Sequence, residues 1–408
     1  MGEAVVWVDP RDISLVCSSR RLLERMSWDF FLQLCSRRPP QLVLDGDWDQ
    51  APETVFEESD LYRSLTDHVR RGRRWETTDY YRRHLRHIRD GTARTSHRTQ
   101  RNVLYRCREF EALLGRISRE GYRTQADLKD EASPQGNEVT VAIDRNGRLM
   151  FVDGQHRLAV AKFLSLPRIP VQIVIRHSRW VAFKREIIEF CEASPHLKGK
   201  VYQKIDHPDL ADLPAHHGDE RMAILRGAID PEAWAGKRLL DIGAHWGHMC
   251  HAFEALGLRC TAIERDTRNV YFLNRLRLAG NRQFSIWQGS VFDYPRLGEF
   301  DLILALNVFH HFLRKKSRYQ RFLGLLKRLR GAEMILLETH RPEERQMRQA
   351  YRNLDPEAFA GFVAEQARLP RIERLGEAPD GRKLYKLSKA APLLGGLIGR
   401  LRRAASRP

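Results

Sequence analysis

The stretch KRLLDIGAHWGHMCHAFEALG, residues 237–257, decides how the C-terminal half of the chain is read. Arg238 to Ile242 has the apolar run of a buried strand, and Gly243 and Gly247 then frame a tight turn into a helix that ends at Gly257. Glycine accepts backbone angles that other residues avoid and lets the chain approach a ligand closely. A strand–turn–helix of this kind places its ligand at the carboxyl end of the strand. A second strand, LRCTAIE (258–264), ends in Glu264, whose carboxylate can accept hydrogen bonds from both hydroxyls of a ribose. Glu264 lies 17 residues beyond Gly247, near the distance that one helix and one strand require.

The alternation continues beyond Glu264. TRNVYFLNRLRLAG (267–280) reads as a helix capped by Thr267 and stopped by Gly280. FSIWQ, DLILAL and EMILLET, starting at Phe284, Asp301 and Glu333, read as further strands. GRKLYKLS (381–388) reads as half of a terminal hairpin. Strands alternating with helices predict an α/β fold, a parallel sheet with helices on both faces.

The D-x-G-x-x-x-G pattern of Asp241, Gly243 and Gly247, the acid Glu264 and the strand DLILALNVFHHF (301–312) resemble the motifs of class I S-adenosylmethionine methyltransferases. The resemblance covers a domain at 221–388 and implies a Rossmann-like sheet with S-adenosylmethionine as cofactor. It implies that Asp241, Gly243, Ala244 and Gly247 surround the methionine part and that Glu264 binds the ribose. GSVFDY (289–294) stands where that family contacts adenine, which implies Val291 and Asp293 there. A dinucleotide-binding dehydrogenase is the competing reading. The missing G-x-G-x-x-G counts against it, because Ala244, His245 and Trp246 separate Gly243 from Gly247.

Methyl transfer from a sulfonium is an in-line displacement, so the protein mainly aligns nucleophile and methyl group. A hydroxyl nucleophile also needs a base. Asn307-Val308-Phe309-His310-His311 follows the fourth strand, beside the expected cofactor site. His310 or His311 is therefore the expected base, and Asn307 can orient cofactor or substrate. The competing role is structural, one histidine capping the next helix while the other packs internally. The tetrad Asn307 to His310 lacks the prolines and the stacking aromatic of enzymes that methylate exocyclic amines of DNA bases. No Pro-Cys dipeptide is present, which counts against cytosine C5 chemistry. His340 is expected at the same cleft, and Arg341 and Arg345 after it can bind an anionic substrate, although surface arginines are common in a basic chain.

In the N-terminal half, EVTVAID (138–144) and RLMFVD (148–153) flank Asn146-Gly147, a strong hairpin signal. FVDGQHRLAVAKFLSLPRIPVQIVI (151–175) resembles the ParB/sulfiredoxin-like fold. That resemblance implies a phosphate or nucleotide site at Asp153, Gly154, Gln155, His156 and Arg157. Backbone N–H groups at a helix start, joined by an arginine, do make an anion site. Leu158 replaces the second arginine typical of partition proteins, and no helix-turn-helix reader follows, which counts against DNA partitioning.

The organisation read from the sequence is an N-terminal arm (1–45), a helical region plus the smaller α+β ParB/sulfiredoxin-like domain (46–193), a linker (194–220), the methyltransferase domain (221–388) and a basic amphipathic tail (389–408). The run from Val103 to Ile117 has helical spacing. Net charge is +18, which favours anionic partners. The six cysteines, Cys17, Cys35, Cys107, Cys191, Cys250 and Cys260, include no Cys-x-x-Cys pair, so reduced buried thiols are expected and no metal site is assigned. No transmembrane stretch or signal peptide is read, which predicts a cytoplasmic protein whose tail can touch a membrane surface. The function expected is O-methylation of a small-molecule or glycan-type acceptor, phosphate- or nucleotide-linked acceptors included, with a nucleotide at the N-terminal domain. The alternative is a protein that binds or modifies nucleic acid through the ParB-like domain.

Overall fold

The computed structural model describes residues 5–34, 41–50, 54–93, 97–128 and 138–389. The tail therefore lies, apart from Lys389, outside the described residues. The chain divides into two compact units: Met1–Gly199 with His207–Asp212 and Leu278–Asn281, and Lys200–Asp206 with Leu213–Arg277 and Arg282–Pro408. Among the described residues no helix is long and apolar enough to cross a membrane. Cys17, Cys107, Cys191, Cys250 and Cys260 are buried free thiols, and Cys35 lies outside the described residues.

The first unit holds β1 (Val5–Val8), β2 (Leu15–Val16), β3 (Leu42–Leu44), β4 (Val139–Ile143), β5 (Leu149–Asp153) and β6 (Ile169–His177). They form one mixed sheet in the order β1-β6-β4-β5-β2, with β3 also on β6. Gly147 turns the β4–β5 hairpin at φ 94°, and the Asp144 carboxylate accepts the N–H of Asn146 and of Arg148, both at 2.8 Å. The helix read from Val103 to Ile117 extends over Gln100–Glu120, with Thr99 accepting the N–H of Asn102 as its cap. Residues set apart as an arm supply β1, β2 and β3 instead. QLVL (41–44) reads as strand-like in the sequence and supplies β3, whereas β1 and β2, of four and two residues, carry too little alternation to stand out.

The stretch 194–220, expected as a linker, is also structured. Within the second unit β7 (Val201–Gln203) and β8 (Ala215–His217) pair in parallel. Leu197, Val201 and Leu210 are buried.

The second unit is built on β9 (Arg238–Ile242), β10 (Arg259–Glu264), β11 (Ser285–Gln288), β12 (Leu302–Leu306), β13 (Met334–Glu338), β14 (Arg371–Glu377) and β15 (Lys383–Ser388). The order is β11-β10-β9-β12-β13-β15-β14, parallel except for β15, which runs antiparallel to both neighbours. Alternate residues of these strands serve opposite faces. Leu240, Ile242, Ile303, Ala305, Ile335 and Leu337 pack with Phe322 and Leu325 of the helix Lys316–Arg328 and with Phe359 and Val363 of the helix Pro356–Ala367. Leu239, Ala262, Leu302, Leu304 and Leu336 pack on the other face with Met222, Met249, Phe253 and Leu273. Helices thus cover both faces, as the sequence predicts. One cap differs: Asp266 Oδ1 accepts the N–H of Arg268 and Asn269, whereas Thr267 Oγ1 accepts from Gln288 Nε2. The helix Thr267–Ala279 is therefore capped by the aspartate one residue earlier.

Two features of this unit have measurable consequences. Gly247 takes φ 81°, and a Cβ there would overlap Leu273 Cδ1. Gly72, which ends the helix Asp60–Arg71 at φ 66°, has nothing within 4 Å of such a Cβ. Gly247→Ala is expected to cost about 3 kcal/mol or more, and Gly72→Ala about 1–2 kcal/mol, in denaturant unfolding. Similar costs would show that Leu273 does not define the turn. Asp241 is 3% exposed, and burial pushes its carboxyl up to about 7, against partial relief from Arg221. The folded chain holds this proton where the unfolded chain has lost it, so the contribution of Asp241 to stability falls as pH rises from about 4 to about 7. Asp241→Asn removes that dependence, so its stability relative to the parent should be more favourable at about pH 8 than at about pH 5. An equal difference at both values would contradict the buried-proton account.

Candidate active site

β9 and β12 lie side by side where the strand order reverses, so the chain leaves them in opposite directions and a crevice opens at their carboxyl ends. Gly243, at φ 76°, starts the loop after β9, and a Cβ there would lie 3.3 Å from Val308 Cγ2 in the loop after β12. Gly243 and Ala244 donate their N–H groups to the carbonyl of Ile263 at 2.8 and 3.0 Å, which fastens the loop to the end of β10. Glu264 completes the fastening. Its Oε2 accepts the N–H of His245 at 2.8 Å, and its Oε1 accepts those of Arg265 and Asp266, both at 2.8 Å. A carboxylate offers about four acceptor positions. Glu264 therefore retains one for a ligand hydroxyl in this arrangement, not the two read from the sequence. Gly289 N–H, after β11, meets the Glu264 carbonyl at 2.9 Å and brings a third loop to the same place.

Two non-glycine residues in these loops hold left-handed backbone angles, His245 at φ 52° and Asn307 at φ 54°. Such strain persists where the surroundings fix it, and it gathers at ligand sites. Asn307 Nδ2 donates to Tyr202 Oη at 3.5 Å, while its buried Oδ1 has no hydrogen-bond partner among the described residues. Tyr202 also meets the rings of His217 at 4.8 Å and His245 at 5.2 Å. Nothing in the sequence singles out Tyr202 beyond its being an aromatic residue in a stretch read as linker. Val291 and Asp293 stand in a short 3-10 turn after β11. The Val291 side chain is buried in the core, and Asp293 is exposed and paired with Arg321 at 3.2 Å. Asp241 lies behind the loop with Cys250 Sγ at 3.8 Å.

His310 and His311 begin the short helix after β12, with ring centres 4.0 Å apart. His310 is 1% exposed, and burial, then His311, pushes its ring down to about 3. Gln346 Nε2 donates to Glu344 Oε2 at 2.8 Å and meets His310 Nε2 at 3.0 Å. An amide nitrogen carries only donors, so His310 Nε2 accepts and its proton resides on Nδ1. His310 is thus held as a neutral ring whose lone pair is already engaged. His311 is half-buried, and burial, followed by Arg314 and Arg318, lowers its pKa, which favours the neutral form a base requires. His340, expected to face the crevice, is fully buried, with Nε2 on Asn353 Oδ1 at 3.2 Å.

In the first unit Gly154, at φ 93°, opens the helix Gln155–Phe163 directly after Asp153, the last residue of β5. Arg157 lies 3.5 Å from the buried carboxylate of Glu138, and the His156 ring meets Phe110 edge-on at 4.8 Å, where burial pushes it down to about 4. Both side chains are thus in contact with neighbours within this unit.

The model of a family described as a methyltransferase domain matches residues 240–330. No curated protein matches the chain. Among solved structures, monomeric WbdD is 22% identical with TM-score 0.40 over 50% of this chain and 49% of that one, so the chain spans about half the length of that protein. The methyltransferase domain of bacterial CtHen1-C is 16% identical with TM-score 0.33 over 42% of this chain and 98% of that one. Magnesium protoporphyrin IX methyltransferase (ChlM) from Synechocystis PCC 6803, solved with bound SAM, is 13% identical with TM-score 0.32 over 42% and 77%. The family match falls on most of β9, on β10, β11 and β12 and on the loops that follow them, so this stretch of the second unit is similar to a methyltransferase domain.

Proposed function

We propose that the second unit is an S-adenosylmethionine-dependent O-methyltransferase acting on a small-molecule or glycan-type acceptor. One observation carries this reading: three loops converge on Glu264 at the reversal of strand order, with Gly243 pressed against Val308. The residues fit the cofactor. The left-handed Gly243 lets the loop after β9 pack closely on Val308 at the end of the strand, and the orphaned Asn307 Oδ1 awaits a donor. When bound, the cofactor supplies a methyl group already activated by the sulfonium charge.

The remaining work falls to the side chains of this chain. Glu264 holds the loop after β9 through the His245 N–H and its own loop through the N–H groups of Arg265 and Asp266, and offers its free position to a ribose hydroxyl. Asn307 accepts an N–H or O–H from cofactor or acceptor. His311 takes the proton of the attacking hydroxyl, because His310 has its lone pair on Gln346 and acts by holding the pair in place. Tyr202 and His245 give the crevice aromatic walls. For the first unit we infer a ParB/sulfiredoxin-like domain. Its support is the β4–β5 hairpin followed by the left-handed Gly154 at the start of a helix. The engagement of Arg157 by Glu138 makes any phosphate site there dependent on releasing that pair.

Calorimetry with S-adenosylhomocysteine is expected to detect binding that Glu264→Ala weakens by about tenfold or more. Unchanged affinity in the variant would remove Glu264 from the cofactor site. His311→Asn is expected to lower kcat by about a hundredfold or more while leaving S-adenosylhomocysteine affinity intact. If His310→Asn lost that activity and His311→Asn retained it, the assignment of the base would be reversed.

A further inference from the structure

At the carboxyl ends of β12 and β13 the second unit has an open cavity of about 560 Å³, lined by Arg314, Arg341, Glu344, Arg345, Gln346 and Arg382. Four arginines face one glutamate, and the glutamate is already committed. Glu344 accepts from Arg382 Nε at 3.0 Å, from the Arg341 backbone N–H at 3.1 Å and from Gln346 Nε2 at 2.8 Å. These donors hold its carboxyl down to about 2, so it stays charged and fixed. Arg382 is committed in turn, to Glu344 and to Asp380 at 2.5 Å.

The other three guanidinium groups are not neutralised in this way. Arg341 reaches Glu343 and Glu344 only at 3.8 and 3.9 Å and is 46% exposed. Arg314 and Arg345 are exposed and make no ion pair among the described residues. Cations gathered around one concavity repel each other, and an anion relieves that repulsion. Guanidinium groups also match the paired oxygens of phosphate and carboxylate. The cavity falls in the size range of small-ligand sites, about 300–1,000 Å³. Gln346 joins it to the histidine pair, since the same amide that lines the cavity meets His310 Nε2 at 3.0 Å.

We propose that this cavity binds an anionic group, a phosphate monoester or a carboxylate, carried by the methyl acceptor. Arg314, Arg341 and Arg345 hold the group, and the Glu344–Arg382 pair is the fixed frame that spaces them. That the bearer of the anion is the methyl acceptor rests on the methyltransferase reading; the anion site itself does not.

The test uses the full chain and three probes, inorganic phosphate, acetate and S-adenosylhomocysteine, titrated by calorimetry at constant ionic strength. The variants are Arg341→Gln with Arg345→Gln together, Arg314→Gln alone, and Arg226→Gln as a control on an exposed arginine of the helix Glu220–Gly227. Phosphate or acetate should bind the parent chain, about tenfold or more weaker in the double variant, and unchanged in the control. Arg314→Gln should weaken it as well. S-adenosylhomocysteine affinity should be the same in all four proteins. A preference for phosphate identifies a phosphoryl-bearing acceptor and a preference for acetate a carboxylate. No binding of either anion, or equal binding by parent and double variant, overturns the proposal even where S-adenosylhomocysteine binds. Anion binding that the double variant loses, in a chain that takes no S-adenosylhomocysteine, sustains the site and removes the methyltransferase reading instead.

Discussion

Three backbone N–H groups converge on the carboxylate of Glu264, that of His245 from the loop after β9 and those of Arg265 and Asp266 from the loop after β10, and this convergence ties the two loops together. The loop after β9 then meets Val308, where a Cβ at 243 would sit 3.3 Å from Val308 Cγ2 on a left-handed backbone that favours glycine. Charge-assisted hydrogen bonds of this kind are stronger than neutral ones. The fastening joins the ends of β9 and β10, and the Gly289 N–H on the Glu264 carbonyl adds the end of β11. A ligand seated here meets a wall already in place, which lowers the ordering cost of binding.

A second constraint is electrostatic. Burial makes the crevice histidines shed charge, while the arginines beyond them keep theirs. In the proposed reaction, a neutral histidine pair beside a cationic cavity assigns proton acceptance and anion recognition to different residues. Glu344 stands at the junction: it holds Gln346, which orients His310, and Arg382, which frames the cavity. The Arg221–Glu338 pair, at 2.7 Å and almost wholly buried, performs a quieter task. It ties the helix Glu220–Gly227 to the end of β13, with Arg221 also bonded to Gln203 of β7.

Much of the second unit was legible because its central strands β12 and β13 are buried on both faces, so DLILAL and EMILLET stand out as apolar runs between helices. The glycine turn and Glu264 were legible because their spacing reflects one helix and one strand. The rest depends on pairings that a linear reading does not reach. The cap at Asp266 rather than Thr267 is decided by which oxygen can reach the N–H groups of Arg268 and Asn269. The small strands β1 and β2 are held by their partners rather than by their own pattern. Arg341 and Arg345 were noticed in sequence, but Arg314 and Arg382 come from distant segments and join them only through the fold. The engagement of His310 by Gln346, on which the proposal of His311 as base rests, depends on a single side-chain amide far along the chain.

The insertion of β15 between β13 and β14 has a consequence for how the chain is made. β13 is buried along its whole length, yet the neighbour that pairs with its outer edge, β15, lies about fifty residues later and is the last strand among the described residues. Until then a row of unpaired backbone groups on an apolar strand stays open to any other extended segment. Pairing of β15, up to Ser388 opposite Met334, is what closes that edge.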